Sequence, residues 1–193
     1  PACLQAKVKQ RSAKNMKIAF DTQLPKQWFT LLDEHDIVSV NDDAEVLMTS
    51  VYLPVTRELV ASMPSLKLVV NYGVGYDNID LTACAERHIL VANTPQPVIE
   101  PTAELCMTLM LTLSRRVCEL CEGLKNGSVQ FSLMNNLGHS LYGKTLGIIG
   151  MGNIGKAAAR RAVACGMQVV YHNRHQLASA IEEQYQATYV SLD

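Results

Sequence analysis

The chain has 193 residues, 48% of them hydrophobic, which is enough for one sizeable domain or for one small domain and part of another. A net charge of −1 with 18% charged residues gives no broad field for nucleic acid or a membrane surface, so the expected partner is a small molecule held at a local site. The longest apolar run, residues 105–113, is far shorter than the roughly 20 residues of a membrane span.

The first 15 residues are basic and polar and lack the apolar core of a secretory signal, so residues 1–15 are predicted to be a flexible extension of a soluble, cytoplasmic protein. The six cysteines do not resemble the framework of a small secreted domain, and we expect reduced thiols. Cys118 and Cys121 form a C-x-x-C pair inside a helical pattern. Packing on a buried face is the favoured interpretation, and metal or redox chemistry is the alternative.

From Met16 onwards, short apolar segments alternate with helical segments, which predicts a parallel sheet covered on both faces and therefore an α/β fold. Strands are predicted at 17–20, 37–40, 45–51, 66–70 and 89–92, and helices at 25–33, 56–63 and 81–87. These elements make up a first domain, residues 16–98.

The segment 93–101 contains three prolines, which predicts a hinge and a domain boundary before the second domain, residues 99–193. A long helix is then predicted from Thr102, as its N-terminal cap, to about Leu124. Because this helix is apolar on nearly every side, it must be covered by the fold or by another subunit, and a subunit interface is favoured.

Residues 144–174 read as strand, glycine-rich turn, helix and second strand. Gly150, Gly152 and Gly155 have the G-x-G-x-x-G spacing, and the helix from about Asn153 follows at once. The first glycine permits a tight turn, the second lets a pyrophosphate approach the backbone, and the third lets the helix pack closely on the strand. This context predicts a dinucleotide site, the alternative being a tight turn and nothing more. A helix at 176–185 and a strand at 187–190 follow.

The position that recognises the adenosine ribose follows the second strand, at residues 172–175. An NAD enzyme usually has a carboxylate there, whereas an arginine suits a 2′-phosphate. This chain has Asn173 and Arg174 and no acid, which favours NADP(H) over NAD(H). The alternative is that Arg174 is an ordinary surface cation.

A second glycine segment, Gly73, Val74 and Gly75, directly follows a predicted strand. Successive N–H groups in such a turn form a concavity suited to an anion such as a carboxylate. The alternative is a simple turn whose Asp77 or Asp80 caps the next helix. None of the five histidines is paired with an acid by its spacing, and neither a zinc motif nor a nucleophile elbow is present, so no catalytic residue and no metal site is predicted.

Four segments together resemble the D-isomer-specific 2-hydroxyacid dehydrogenases: NYGVGYDNID at 71–80, ILVANTP at 89–95, EPTAEL at 100–105 and GKTLGIIGMGNIG at 143–155. The likeness covers about residues 16–193, in the order of that family. It implies a flavodoxin-like substrate domain followed by a Rossmann cofactor domain that is incomplete here, and a homodimer formed through the cofactor domains.

The resemblance further implies that the backbone of Val74 and Gly75 holds the substrate carboxylate and that Thr102 lies near the nicotinamide. Gly150, Gly152, Asn153, Ile154 and Gly155 would bind the pyrophosphate, while Asn173 and Arg174 take the ribose position, as in glyoxylate and hydroxypyruvate reductases.

In that family the catalytic arginine, histidine and glutamate come from the region after the third strand of the cofactor domain, where this chain has ended. We therefore expect a truncated chain that is inactive alone, from a parent that reduces a 2-oxo acid, with glyoxylate or hydroxypyruvate favoured. The alternative is a noncatalytic dinucleotide sensor or corepressor-type protein that dimerises on the same scaffold.

Overall fold

A computed structural model describes residues 15–21, 30–130, 132 and 134–192. The chain divides into two compact units, Pro1–Pro95 and Gln96–Asp193, referred to below as unit 1 and unit 2. Nearly all of the predicted extension and most of the predicted helix at 25–33 lie outside the described residues. None of the helices that the structure describes is long and apolar enough to cross a membrane.

Unit 1 is built on a five-stranded parallel sheet. Its elements in chain order are β1 (Lys17–Phe20), a 3₁₀ turn (Thr30–Leu32), β2 (Asp36–Ser39), β3 (Val46–Ser50), α1 (Arg57–Ser62), β4 (Leu68–Tyr72), α2 (Leu81–Glu86) and β5 (Leu90–Asn93). The strand order β2-β1-β3-β4-β5 is the flavodoxin-like order, so the predicted fold of the first domain is confirmed.

The core of unit 1 lies on the central strands, where Leu47 of β3 and Val69 of β4 are fully buried. These two residues are paired in the parallel register, and Val60 and Met63 cover them from the α1 side. Thr56 caps α1, because its side-chain oxygen accepts a hydrogen bond from the N–H of Leu59.

Unit 2 contains a three-stranded parallel sheet of order β6-β7-β8. Its elements are α3 (Gln96–Ser114), α4 (Val117–Asn126), β6 (Thr145–Ile149), α5 (Asn153–Ala164), β7 (Gln168–His172), α6 (Ser179–Tyr185) and β8 (Ala187–Tyr189). The predicted sequence of strand, turn, helix and strand over 144–174 is therefore present. Buried alanines line α5 and allow close packing, as at Ala157 and Ala158 against Ala103 of α3.

The division between the two units, after Pro95, falls within the predicted proline segment 93–101 and close to the predicted boundary after residue 98. The predicted start of the helix is wrong, because α3 begins at Gln96 and Thr102 is therefore an internal residue and not the cap. The first N–H groups of a helix have no partner within it, and Pro97 in the first turn therefore costs no hydrogen bond. Pro101 lies inside the helix and removes one bond.

The single long helix predicted after Thr102 is also interrupted, at Arg115 and Arg116. Arg116 adopts the left-handed conformation, with φ of 56°, and α4 starts in a new direction at Val117. Cys118 and Cys121 are exposed on α4, so the prediction that they pack on a buried face is wrong. The error arises because Arg116 ends the first helix, so spacing counted along one continuous helix does not apply to α4.

Candidate functional site

Backbone geometry alone accounts for two of the three glycines in the turn between β6 and α5. Gly150 has φ of +94°, a conformation that other residues rarely adopt. A Cβ atom on Gly155 would lie 2.7 Å from the carbonyl oxygen of Gly150 and 3.2 Å from Cγ2 of Ile148. The fold itself therefore requires glycine at both positions.

Gly152 is different, because nothing in the fold requires a glycine there. Its φ is −80°, and an added Cβ would meet no atom within 4 Å. It also caps α5, whose first backbone bond runs from the N–H of Lys156 to the carbonyl of Gly152, at 2.9 Å. The N–H groups of Asn153, Ile154 and Gly155 in the first turn thus have no helical acceptor, and together with the helix dipole they form an anion site beside open space.

A cavity of about 660 Å³ opens beside this turn. It brings the glycine turn together with the end of β7 and the segment after it. The residues that line it are Ile149, Gly150, Met151, Gly152, Lys156, His172, Asn173, Arg174, His175, Leu177 and Leu192. Among these described lining residues there are two permanent cations and no carboxylate, so the cavity is electrostatically suited to an anion.

Asn173 joins the two parts of the cavity wall. Its Oδ1 accepts a hydrogen bond of 2.7 Å from the N–H of Met151 and so ties the end of β7 to the glycine turn. That oxygen is already engaged, so the Nδ2 group is the part of the Asn173 side chain that can donate to a ligand in the cavity.

Tyr171 fixes the segment after β7, in which the sequence predicts the ribose position. Its buried hydroxyl donates to Oε1 of Glu182 at 2.7 Å and accepts from the N–H of Leu177 at 2.8 Å. Burial, reinforced by the bond to Glu182, raises the pKa of Tyr171, so the phenol remains a neutral donor. The loop between β7 and Leu177 is thereby held against the sheet.

Arg174 is exposed at the cavity, where the sequence predicted a ribose or phosphate contact. Lys156, in the first turn of α5, lines the same cavity and was not predicted. Its signal in the sequence is its place directly after the third glycine. The cavity therefore combines Lys156 and Arg174 on its wall.

The segment Gly73–Gly75 follows β4 in unit 1, as predicted. Gly73 donates its N–H to Oγ1 of Thr94 at 3.1 Å, and its carbonyl accepts the N–H of Thr94 at 3.0 Å. The N–H groups of Val74 and Gly75 have no acceptor among the described residues, and both residues are exposed. Two free donors in one turn can bind a carboxylate.

Thr102 lies on the exposed side of α3, next to Ala103, which packs on α5. Its place near a nicotinamide stays a prediction. In the part of the chain that the structure describes, no three histidine, cysteine or acidic residues are grouped so that they could hold a metal ion.

Comparison with known proteins gives a consistent result. The model of the D-isomer-specific 2-hydroxyacid dehydrogenase catalytic domain matches residues 5–190. Glyoxylate reductase of Thermococcus litoralis is 38% identical over 156 residues, which are 78% of this chain and 47% of that protein. The 4-methyl-2-oxopentanoate reductase A of Aspergillus oryzae is 42% identical over 141 residues, 72% of this chain and 42% of that protein.

Among solved structures, D-lactate dehydrogenase of Aquifex aeolicus, complexed with NAD and lactic acid, superimposes with a TM-score of 0.77 at 28% identity, over 91% of this chain and 56% of that one. The chain spans about half the length of the curated relatives it matches.

Proposed function

Because the chain belongs to the D-isomer-specific 2-hydroxyacid dehydrogenase family, we propose that it supplies the cofactor-anchoring and carboxylate-binding parts of an enzyme that reduces a 2-oxo acid with NADPH. Glyoxylate and hydroxypyruvate are the favoured substrates, and the product is a D-2-hydroxy acid. The reductases named glyoxylate reductase among the relatives support this choice.

The observation that carries the proposal is the open space at Gly152. A glycine that the backbone does not need, at the start of a helix with free N–H groups, fits the close approach of a pyrophosphate. The chain would hold the diphosphate through the backbone of Gly152, Asn153, Ile154 and Gly155. When bound, the reduced nicotinamide supplies the hydride.

The preference for NADP(H) rests on charge. A 2′-phosphate needs cationic partners and is repelled by the carboxylate that usually binds the ribose hydroxyls of NAD. Arg174 and Lys156 line the cavity and none of its described lining residues is acidic, which supports the phosphate-bearing cofactor. The Nδ2 group of Asn173 would donate to the adjacent ribose.

The substrate carboxylate is assigned to the N–H groups of Val74 and Gly75. Both are free donors, and a Cβ on Gly75 would have only Oδ2 of Asp77 near it, at 3.7 Å. Since Gly75 also lacks a positive φ, its glycine is not needed for the backbone. A small side chain there would instead occupy space that a ligand can use.

A second copy of the chain is the proposed partner of α3. Leu105, Leu109 and Leu113 lie at helical spacing on one face and are 57%, 60% and 82% exposed. Such a stripe is costly in water, and pairing with the same stripe of a second copy would bury it.

The five free cysteines of the described residues suit a reducing compartment, and we assign the protein to the cytoplasm.

Calorimetric titration of the chain with NADPH and with NADH tests the cofactor assignment. We expect NADPH to bind more tightly by about tenfold or more, because a charge-assisted contact to phosphate contributes about 1.5–3 kcal/mol. Equal affinities, or tighter binding of NADH, would show that Arg174 and Lys156 do not read a 2′-phosphate.

A further inference from the structure

We propose that Asn93 is a positioning residue for the substrate carboxylate, acting by fixing the orientation of the Val74–Gly75 peptide with help from Asn71. The proposal rests on the proposed function, which assigns the carboxylate to the N–H groups of Val74 and Gly75. Asn93 itself does not touch the substrate.

A trans peptide couples the directions of its two polar groups. Its C=O and N–H groups are coplanar and point in opposite directions, so a hydrogen bond that holds the carbonyl also aims the N–H on the other side. None of the described peptide bonds is cis. The N–H groups of Val74 and Gly75 are therefore aimed by whatever holds the carbonyls of Gly73 and Val74.

Both of these carbonyls are held from the neighbouring strand end. The Gly73 carbonyl accepts the backbone N–H of Thr94 at 3.0 Å, which fixes the direction of the Val74 N–H. The Val74 carbonyl accepts Nδ2 of Asn93 at 2.8 Å, which fixes the direction of the Gly75 N–H. The first bond is donated by a backbone N–H and does not depend on the side chain of Asn93. The second bond is lost when that side chain is replaced.

Asn71 holds the next carbonyl along the turn. Its side chain is fully buried on β4, and its Nδ2 donates to the carbonyl of Gly75. Its Oδ1 is also buried and receives no hydrogen bond from any described residue. A buried amide with one unsatisfied oxygen lowers the stability of the fold relative to an apolar residue on a central strand. The hydrogen bond from Asn71 to the turn is the interaction that an apolar residue could not make there.

The three successive carbonyls of Gly73, Val74 and Gly75 thus all accept hydrogen bonds from the protein. The two N–H groups between them, those of Val74 and Gly75, have no acceptor among the described residues. A turn organised in this way offers both donors to a carboxylate without a change of backbone conformation on binding. Preorganised donors bind anions more tightly than donors that must first be ordered.

The test uses the 193-residue chain labelled with ¹⁵N and titrated with glyoxylate. The readout is the saturable change in the amide signals of Val74 and Gly75, which a purely structural role of Asn93 would not alter. For the unsubstituted chain we expect both signals to shift together with one dissociation constant. In Asn93→Ala we expect that constant to rise by about tenfold, as for loss of a hydrogen bond that orients a charged ligand.

Asn78→Ala is the matched control. Asn78 also donates its Nδ2 group to backbone carbonyls in unit 1, those of Ser50 and Leu53, at 3.1 and 2.8 Å. It does not contact the peptides of the Gly73–Gly75 turn through those bonds. We expect its dissociation constant for glyoxylate to stay within about twofold of the unsubstituted value.

Asn93→Leu keeps a side chain of similar size and removes the donor without adding a charge, so it serves if the alanine variant does not fold. Weaker glyoxylate binding in a folded Asn93 variant with unchanged binding in Asn78→Ala supports the proposal. Unchanged binding in a folded Asn93 variant overturns it while leaving the carboxylate site intact. If Val74 and Gly75 of the unsubstituted chain do not respond to glyoxylate, the carboxylate site itself is wrong and this proposal falls with it.

Discussion

Replacing Gly152 by alanine should weaken cofactor binding without weakening the fold. The added Cβ would meet no protein atom within 4 Å, and the φ of −80° is open to alanine. Alanine is a poorer helix cap than glycine by a few tenths of a kcal/mol or more, but it reduces the entropy of the unfolded chain by about 0.4–1 kcal/mol. The two effects offset each other, so we expect the free energy of unfolding to change by less than about 1 kcal/mol.

The effect on binding should be much larger. The Cβ of residue 152 would stand where a phosphate has to approach the N–H groups of the first turn of α5. Losing one hydrogen bond between a backbone N–H and a charged phosphate costs about 1.5–3 kcal/mol, which raises the dissociation constant of NADPH by about 10- to 100-fold. The assay is calorimetric titration with NADPH, accompanied by urea unfolding of the same preparation.

Gly155→Ala is the counterpart with the opposite expectation. Its Cβ would lie 2.7 Å from the backbone oxygen of Gly150, and neither the turn nor the start of α5 can move freely to relieve the clash. Overpacking of this kind costs about 1–3 kcal/mol of stability. NADPH binding by Gly152→Ala equal to that of the unsubstituted chain would refute the assignment of this turn to the pyrophosphate.

Three further outcomes are expected. Arg174→Asp should weaken NADPH binding by about tenfold or more and leave NADH binding within about threefold, as measured by calorimetry. The hydrogen bond from Arg161 is the main cause of the lowered pKa of Glu100; the carboxylate therefore stabilises the fold above its unfolded pKa, and this contribution is lost as the pH falls through the folded value. In urea unfolding, Glu100→Gln should therefore be less stable than the unsubstituted chain at pH 7. The difference in the free energy of unfolding between the two chains should decrease below about pH 4 and in high salt. Leu109→Glu should shift the chain from dimer to monomer in light scattering, whereas Thr108→Glu, one residue away on α3, should not.

Each of these outcomes has a control and a contrary result. Arg115→Asp makes the same charge change outside the cavity and should leave the preference for NADPH intact. Glu122→Gln removes an exposed carboxylate of α4, and a pH profile of stability like that of Glu100→Gln would mean that general charge, and not the ion pair, governs stability. If Leu109→Glu remains a dimer, the stripe on α3 is not the interface.

Local sequence patterns predicted the architecture well because strands and turns are governed by near neighbours. The alternation of apolar strands and helices defined the five-stranded sheet, and the spacing of Gly150 and Gly155 predicted a turn whose geometry the structure shows. The start of α3 was missed because Pro97 and Pro101 resemble helix breakers, although a helix tolerates proline in its first turn.

Features that depend on distant residues could not be predicted in the same way. Arg116 adopts a left-handed conformation although neither glycine nor asparagine marks the position, and Cys118, in the separate helix that follows, is exposed. The hydrogen bond from the N–H of Met151 to Asn173 spans 22 positions, and that from the side chain of Asn93 to the carbonyl of Val74 spans 19. Such contacts arise because the ends of neighbouring parallel strands meet, which only the folded chain makes visible.

We propose that this chain carries the adenosine-phosphate half of an NADP(H) site. The proposal is tested by mapping backbone amide shifts when the ¹⁵N-labelled chain binds 2′,5′-ADP, the fragment of NADP that contains both phosphates on the adenosine. We expect the largest shifts to fall on residues 150–156 and 172–175, and we expect 5′-AMP, which lacks the 2′-phosphate, to bind more weakly. Equal binding of the two nucleotides, or shifts that avoid both segments, would contradict it.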